Sequence, residues 1–225
     1  MSDRVIVITG GHGVLGRAVL EAALADGLKV AVIDHASGRT APDGVLELGG
    51  VDLTDGAATE RAIGAAADRF GRLDALLNIA GGFVWQTVDD PEPAWARMFA
   101  LNLTTAVNAS RAALPHLKAS PEGRIVNVGA NGALKAAAGM GPYAASKSGV
   151  HRLTESLAEE LKASSVTVNA VLPSILDTEQ NRKDMPDADP GKWVRPADLA
   201  RVMLFLASPE SRAITGALVP VTGRV

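Results

Sequence analysis

Short apolar runs rich in β-branched residues alternate with longer alanine-rich stretches along the chain. Several of these runs, such as residues 5–8 and 75–77, are apolar at every position, which is typical of strands buried on both faces of a sheet. The pattern predicts strands at residues 4–9, 29–34, 45–48, 73–79, 123–129, 165–172 and 217–221. Helical periodicity predicts helices at residues 14–26, 56–70, 93–118, 142–163 and 196–207. This alternation predicts an α/β fold with a doubly wound parallel sheet of about seven strands and helices on both faces.

One long interval, residues 173–194, shows neither a helical nor a strand pattern and is rich in proline, aspartate and asparagine. A segment of this length inside a compact domain commonly has a function of its own. We therefore predict that residues 173–194 form a loop or lid over a substrate. The chain shows no internal repeat and no linker composition, which predicts one domain over residues 1–225.

Composition narrows the classes of protein to which the chain can belong. Hydrophobic residues make up 47% of the 225 residues, and the net charge is −3 without any run of lysine or arginine, which argues against nucleic-acid binding. No apolar run approaches the ~20 residues of a membrane helix, and residues 1–8 are too short and too charged for a signal peptide. Cysteine is absent, so no thiolate metal site can form and no metal is expected. We expect a cytoplasmic globular protein that acts on a small molecule, without a membrane partner.

A glycine-rich turn follows the first predicted strand. Gly10, Gly13 and Gly16 lie in this turn, directly before and within the start of the first predicted helix. Glycines at these positions let the backbone turn tightly and approach a pyrophosphate, whose charge the helix N-terminus would stabilise. The strand–turn–helix context favours a Rossmann-type dinucleotide site over a purely structural turn.

Asp34 ends the second predicted strand, where an acid meets the adenosine ribose of a bound dinucleotide. A carboxylate there accepts hydrogen bonds from both ribose hydroxyls and repels a 2′-phosphate. His12 is not a dependable cation at neutral pH, and the first basic residue after Asp34, other than histidine, is Arg39. We therefore expect NAD(H) to be preferred over NADP(H). The other interpretation of Asp34 is a solvated carboxylate at a strand end. Asp52 is interpreted either as a contact to the adenine amino group or as a loop cap.

The candidate proton-transfer group is Tyr143, the only tyrosine in the chain, with Lys147 four residues later. This spacing puts both side chains on one face of the predicted helix. A free phenol titrates near pH 10, which is too high for efficient acid–base chemistry at neutral pH. We expect the ammonium of Lys147 and the helix N-terminus to lower the phenol pKa. The other interpretation is an interfacial tyrosine beside a surface lysine.

These residues resemble the short-chain dehydrogenase/reductase family over nearly the whole chain. Residues 78–81 are similar to the family's Asn-Asn-Ala-Gly, and residues 173–175 are similar to its carboxamide-binding segment. The resemblance implies that Lys147 also binds the nicotinamide ribose, that Asn102 joins a water-linked proton relay, and that the protein is a homodimer or homotetramer. The cofactor site predicted from the turn and the resemblance comprises Gly10, Gly13, Val14, Leu15, Asp34, Asp52, Leu53, Asn78, Ala80, Gly81, Tyr143, Lys147 and Ile175.

The sequence departs from the family pattern at two positions. Val14 stands where the commonest branch has a glycine, and Ala130 stands at the position of the catalytic serine, before Tyr143. Ala130 cannot donate a hydrogen bond to a substrate carbonyl, and the loss of one such donor costs on the order of 10²–10³ in rate. Asn131 is the candidate replacement donor, with a turn-stabilising role as the other interpretation.

The segments around Ala130, Tyr143 and residues 171–193 are similar to the branch of the family that contains dihydropteridine reductase, which also has alanine at the serine position. A quinonoid dihydropterin accepts hydride readily and needs less polarisation than a ketone. Phe83, Asn131 and Trp193 are the predicted substrate contacts. Three functions stay open: a reductase of this branch for a small C=N or C=O substrate, an ordinary alcohol dehydrogenase or ketoreductase, and a dinucleotide-sensing protein with little turnover.

Overall fold

The computed structural model describes residues 3–38 and 41–225, and its centre is one parallel sheet with the strand order β3-β2-β1-β4-β5-β6-β7. Every pair of neighbouring strands is parallel. The strands are β1 (Val5–Thr9), β2 (Lys29–Asp34), β3 (Leu46–Gly49), β4 (Ala75–Asn78), β5 (Arg124–Val128), β6 (Thr167–Pro173) and β7 (Leu218–Val221). The predicted doubly wound parallel sheet is confirmed, and the predicted ends differ from the observed ends by only a few residues.

Helices cover both faces of this sheet, as predicted. They are α1 (Val14–Ala25), α2 (Gly56–Phe70), α3 (Trp95–Phe99), α4 (Thr105–Ala119), α5 (Gly141–Glu160), α6 (Glu179–Asp184) and α7 (Pro196–Leu206). Successive residues of a strand point to opposite faces, so Val5 and Val7 pack in the cluster with α2, α4 and α5, whereas Ile6 and Ile8 pack with α1 and α7. Both faces of the central strands are therefore apolar. None of the described helices is both long and apolar enough to cross a bilayer.

The strand order reverses between β1 and β4, which pair with each other at the centre of the sheet. The chain runs from β1 toward β2 on one side and from β4 toward β5 on the other. A crevice therefore opens above the carboxyl ends of β1 and β4, and doubly wound sheets bind their ligands at such a switch point.

Two predictions of secondary structure were wrong. The helix predicted over residues 93–118 is divided into α3, a π-helical turn at Ala100–Thr104, and α4. The π-helical turn carries Asn102, whose side chain bonds the backbone of Gly82 in the segment after β4. Residues 173–194 are not irregular throughout, because they contain α6, which Thr178 caps by accepting from the Asn181 amide, and a 3₁₀ turn at Pro190–Lys192.

Candidate dinucleotide and active site

A cavity of about 550 Å³ lies at the carboxyl ends of the central strands. Its lining extends from Asp34, the last residue of β2, and Asp52, after β3, to Tyr143 and Lys147 on α5. The described residues that line it are Gly10, Gly13, Val14, Leu15, Gly16, Asp34, His35, Val51, Asp52, Leu53, Thr54, Ile79, Ala80, Gly81, Gly82, Phe83, Leu101, Thr105, Val128, Tyr143, Lys147 and Leu176. The volume falls within the range of small-molecule and cofactor sites.

A second cavity of about 590 Å³ lies at the opposite edge of the sheet, beside the C-terminal ends of α2 and α4. Arg72 and His116 are among its lining residues. Although it is slightly larger, it lies at the amino ends of the strands. We assign the functional site to the cavity at the carboxyl ends, because that is where doubly wound sheets bind dinucleotides.

The turn after β1 fits a pyrophosphate group. Gly10 has φ of +67°, and a Cβ there would lie 2.8 Å from backbone atoms of Ala80. A Cβ on Gly16 would collide with the carbonyl oxygen of Gly10. Gly13 precedes α1 without a side-chain cap, so the first amides of α1 have no side-chain acceptor. The turn thus combines a close backbone approach with an uncapped helix N-terminus, the arrangement that binds phosphate.

Two backbone amides fix the Asp34 carboxylate in the cavity wall. Its Oδ2 accepts from His12 N at 2.9 Å, and its Oδ1 accepts from Ala36 N at 2.9 Å. Each oxygen keeps capacity for a further donor, which suits a ribose hydroxyl. Asp52 also lines the cavity, and its Oδ1 accepts from the amide and the hydroxyl of Thr54, so the predicted loop cap is present. These hydrogen bonds hold the pKa of Asp52 below its usual value.

Tyr143 and Lys147 lie on the first two turns of α5 and both line the cavity. Burial raises the pKa of the Tyr143 phenol to about 12 and lowers the pKa of the Lys147 ammonium to about 8. The Nζ of Lys147 donates to the Val128 carbonyl at 2.7 Å. The prediction that Lys147 and the helix N-terminus lower the phenol pKa is therefore wrong for this structure, because desolvation is the dominant effect.

Asn102 is buried directly behind the cavity and does not line it. Its Oδ1 accepts from Gly82 N at 2.8 Å, and its Nδ2 donates to Gly82 O at 3.1 Å and to Ser146 Oγ at 2.9 Å. A Cβ on Gly81 would lie 2.6 Å from Asn102 Oδ1 and 3.4 Å from Lys147 Nζ. Asn102 thus ties the segment after β4 to α5, and its part in a proton relay stays a prediction.

Ala130, at the position of the expected serine, is 3% exposed and has extended backbone angles. Its amide donates to Nε2 of His151 at 3.3 Å. Burial, followed by the charges of Arg152 and Lys147, lowers the pKa of His151, which favours the neutral acceptor form. His151 lies on α5, two helical turns after Tyr143, and is buried.

Four predicted contacts lie outside the cavity lining. Successive side chains of β4 point to opposite faces of the sheet, so Asn78 points to the α4 face and Leu77 to the α1 face. The Nδ2 of Asn78 donates to Ser110 Oγ and Asn127 Oδ1 on the α4 face. Ile175 is replaced in the lining by its neighbour Leu176. Asn131 begins a 3₁₀ turn, and Trp193 is buried. The cofactor and substrate roles of these four residues remain predictions.

One aromatic side chain, Phe83, lines the cavity beside Tyr143, whereas Trp85 lies outside the lining. The ring of Phe83 meets the ring of Tyr143 edge-on, with centroids 5.0 Å apart and an interplanar angle of 80°. Trp85 is 62% exposed and packs against Gly139, where a Cβ would collide with the indole. The amide of Gln86 donates to Gly139 O at 2.7 Å, which holds this segment beside the loop before α5.

Several lining residues were not predicted from the sequence. Most of them are apolar or small. The only feature of the sequence that could have indicated them is their position directly after a strand or close to the glycine-rich turn. They are His35, Val51, Thr54, Ile79, Gly82, Leu101, Thr105, Val128 and Leu176. No cluster of three or more metal-ligating side chains occurs among the described residues.

Comparisons with known proteins agree with this geometry. Residues 4–189 match the family model described as short chain dehydrogenase. The chain is 31% identical to 2-(S)-hydroxypropyl-CoM dehydrogenase 3 of Xanthobacter autotrophicus, with 99% of this chain and 96% of the relative covered. It is 32% identical to 3-oxoacyl-[acyl-carrier-protein] reductase MabA of Mycobacterium tuberculosis, with 98% and 92% covered. The crystal structure of 3-ketoacyl-(acyl-carrier-protein) reductase from Brucella melitensis complexed with NADH is 28% identical, with a TM-score of 0.86 and 98% and 97% covered.

Proposed function

The chain belongs to the short-chain dehydrogenase/reductase family, and from that premise we propose that it is an NADH-dependent reductase for a conjugated C=N or C=O acceptor. Membership makes it an oxidoreductase that uses a nicotinamide dinucleotide. The finer proposal places it with the branch that contains dihydropteridine reductase. The observation that carries it is a complete Tyr143–Lys147 pair beside an alanine at the serine position.

The role of each residue in the site follows from the hydrogen-bond donors that it can offer to the acceptor. Reduced nicotinamide, when bound, would supply a hydride to the electrophilic carbon of the acceptor's C=N or C=O group. The phenol of Tyr143, which burial keeps protonated at neutral pH, gives its proton to the acceptor's nitrogen or oxygen, and Lys147 holds the nicotinamide ribose. The methyl side chain of Ala130 offers no hydrogen-bond donor, so an acceptor that needs strong carbonyl polarisation loses on the order of 10²–10³ in rate here.

The Phe83–Tyr143 pair in the cavity lining supports a flat acceptor. The Phe83 ring lies edge-on to the Tyr143 ring. Aromatic side chains pair with a planar conjugated ring in stacked or edge-on geometry, and each such pair adds about 0.5–1.5 kcal/mol beyond the area buried. A pterin-like or quinonoid ring system is flat and accepts hydride readily, so it suits a site beside these two aromatic rings.

Asp34 supports NADH rather than NADPH as the reductant. Both of its oxygens are oriented by backbone amides, so the carboxylate stands ready to accept from the ribose hydroxyls. A 2′-phosphate at the same place would meet a fixed negative charge. Arg39, the first lysine or arginine after Asp34 in the sequence, lies outside the described residues.

We also propose that residues 173–194 act as the substrate lid. Leu176, which lines the cavity, forms a parallel bridge with Val194. The Arg182 guanidinium makes two hydrogen bonds to Asp177, at 2.6 and 2.9 Å, which hold α6 to the base of this segment. A homodimer or homotetramer and a cytoplasmic location stay predictions.

The second candidate is a ketoreductase or alcohol dehydrogenase. It is favoured by the relatives, whose names describe oxoacyl reductases and an alcohol-oxidising dehydrogenase. In that case Asn131 or a bound water would supply the hydrogen bond that Ala130 lacks.

A comparison of acceptors tests the proposal. Steady-state NADH oxidation is measured with a quinonoid dihydropterin and with a panel of simple ketones. We expect kcat/KM for the dihydropterin to exceed that for every ketone by at least 10²-fold, the size of one missing donor. Turnover on ketones alone would establish the second candidate instead. Tight NADH binding without turnover on either class would favour the dinucleotide-sensing protein.

A further inference from the structure

The His12 ring lies between two carboxylates at the ribose end of the cavity. Its Nε2 is 2.7 Å from Oε1 of Glu47, and its Nδ1 is 3.8 Å from Oδ1 of Asp34. The side chains are largely buried, with exposed fractions of 11% for His12, 14% for Asp34 and 21% for Glu47. The three groups therefore form one packed cluster, in which Asp34 lines the cavity and His12 and Glu47 lie behind it, and not a solvated surface cluster.

The register of the sheet brings Glu47 to this position. Glu47 pairs with Val32 across the β2–β3 ladder, and Asp34 follows Val32 by two residues. Side chains at these positions share the α1 face of the sheet. Gly11 packs so closely on Val32 that a Cβ would collide with it, which sets the turn and His12 directly above the same face.

The His12 ring is not what holds Asp34 in place. The two carboxylate oxygens of Asp34 are oriented by the amides of His12 and Ala36. The closest contact of the ring is with Glu47, and it becomes an ion pair when the imidazole is protonated. Glu47 therefore acts on the imidazole and not on the ribose-binding carboxylate.

We propose that Glu47 is a second determinant of dinucleotide choice, because it keeps the His12 imidazole from serving a 2′-phosphate. This inference rests on the proposed NADH dependence. A 2′-phosphate beside Asp34 needs a cationic or N–H donor to offset the carboxylate. His12 is the turn residue whose ring lies beside Asp34, and the Glu47 carboxylate lies next to its Nε2. NADH needs only the acceptor oxygens of Asp34, so the Glu47–His12 pair discriminates against NADPH alone.

Equilibrium binding of NADH and NADPH, followed by nicotinamide fluorescence, tests this without relying on turnover. Glu47→Gln keeps the size of the side chain and removes its charge. We expect it to tighten NADPH binding about tenfold, close to the net effect of one charge-assisted hydrogen bond, and to change NADH binding much less. In a His12→Asn background the same substitution should change NADPH binding by less than about twofold, because its effect passes through the ring.

Glu21→Gln is the matched control, because it removes a carboxylate from the exposed side of α1. We expect it to leave the ratio of the two dissociation constants unchanged. An unchanged ratio in Glu47→Gln, or an equal gain with and without His12, would overturn this inference and leave the proposed function standing. A wild-type protein that binds neither dinucleotide would overturn the proposed function as well.

Discussion

Ala130→Ser restores the hydroxyl that the site lacks, and it isolates the contribution of carbonyl polarisation. Ala130 has φ of −159° and ψ of 139°, extended angles that serine adopts without strain. It follows Val128 by two residues in an extended segment, so the new hydroxyl should point to the same side as Val128, which lines the cavity. The substitution therefore adds a donor without a change of backbone.

The magnitude follows from two opposing effects. Removal of a comparable donor costs about 10²–10³ in rate, or about 2.7–4 kcal/mol. Ala130 is almost fully buried, and a hydroxyl there loses about 1–3 kcal/mol of stability if it finds no partner in the free protein. The neighbouring atoms are packed around the Ala130 methyl group, so the new hydroxyl should recover only part of the full 10²–10³ effect. We expect a gain of at least about tenfold in kcat/KM for simple ketones.

Steady-state kinetics with a ketone panel and with a quinonoid dihydropterin measure this gain. The dihydropterin should respond by less than about threefold, because its ring accepts hydride without strong polarisation. Ala133→Ser, which places a hydroxyl in the neighbouring 3₁₀ turn, is the control and should affect neither class. An unchanged ketone panel in a folded Ala130→Ser protein would refute the polarisation argument.

Two further substitutions address the ribose and the lysine. Asp34→Ser should raise the affinity for NADPH relative to NADH by about 10- to 100-fold, because it removes a fixed charge from the 2′ position; tighter NADPH binding by the wild type would contradict this. Lys147→Met should abolish turnover and should also stabilise the fold by roughly 2 kcal/mol at pH 7, measured by thermal unfolding. Burial of an ammonium whose pKa is near 8 instead of 10.5 costs about 3 kcal/mol, and its hydrogen bond to the Val128 carbonyl offsets part of that cost. Since the pKa of Lys147 is lower in the folded state than in the unfolded state, the stability of the wild type should rise with pH between about 8 and 10.5. The extra stability of Lys147→Met over the wild type should disappear across the same range. A variant less stable than the wild type at pH 7 would argue against a buried charge.

The fold could be predicted because its main signal is local. Strands such as β1 and β4 are buried on both faces, and that leaves uninterrupted apolar runs in the sequence. The π-helical turn has no such signal, because it accompanies a contact between Asn102 and Gly82 across the chain. α6 is different: its N-cap at Thr178 has a local signature, which a search for capping residues would have found.

The site was predictable where chemistry requires a particular side chain. Asp34, Tyr143 and Lys147 all line one cavity, as expected from their residue types and positions. The net direction of the shift in the Tyr143 pKa was not predictable, because it depends on how deeply the phenol is buried. Glu47 was missed for a similar reason, since only the β2–β3 register brings it to His12.

The central claim is that Tyr143 delivers the proton to the group that accepts hydride. Tyr143→Phe tests it most directly, with NADH binding and NADH oxidation measured on the same preparation and with the best acceptor of the panel. We predict that NADH still binds with nearly the wild-type dissociation constant while turnover falls by about 10²–10⁴, the contribution of a positioned general acid. Turnover within a fewfold of wild type would contradict the account.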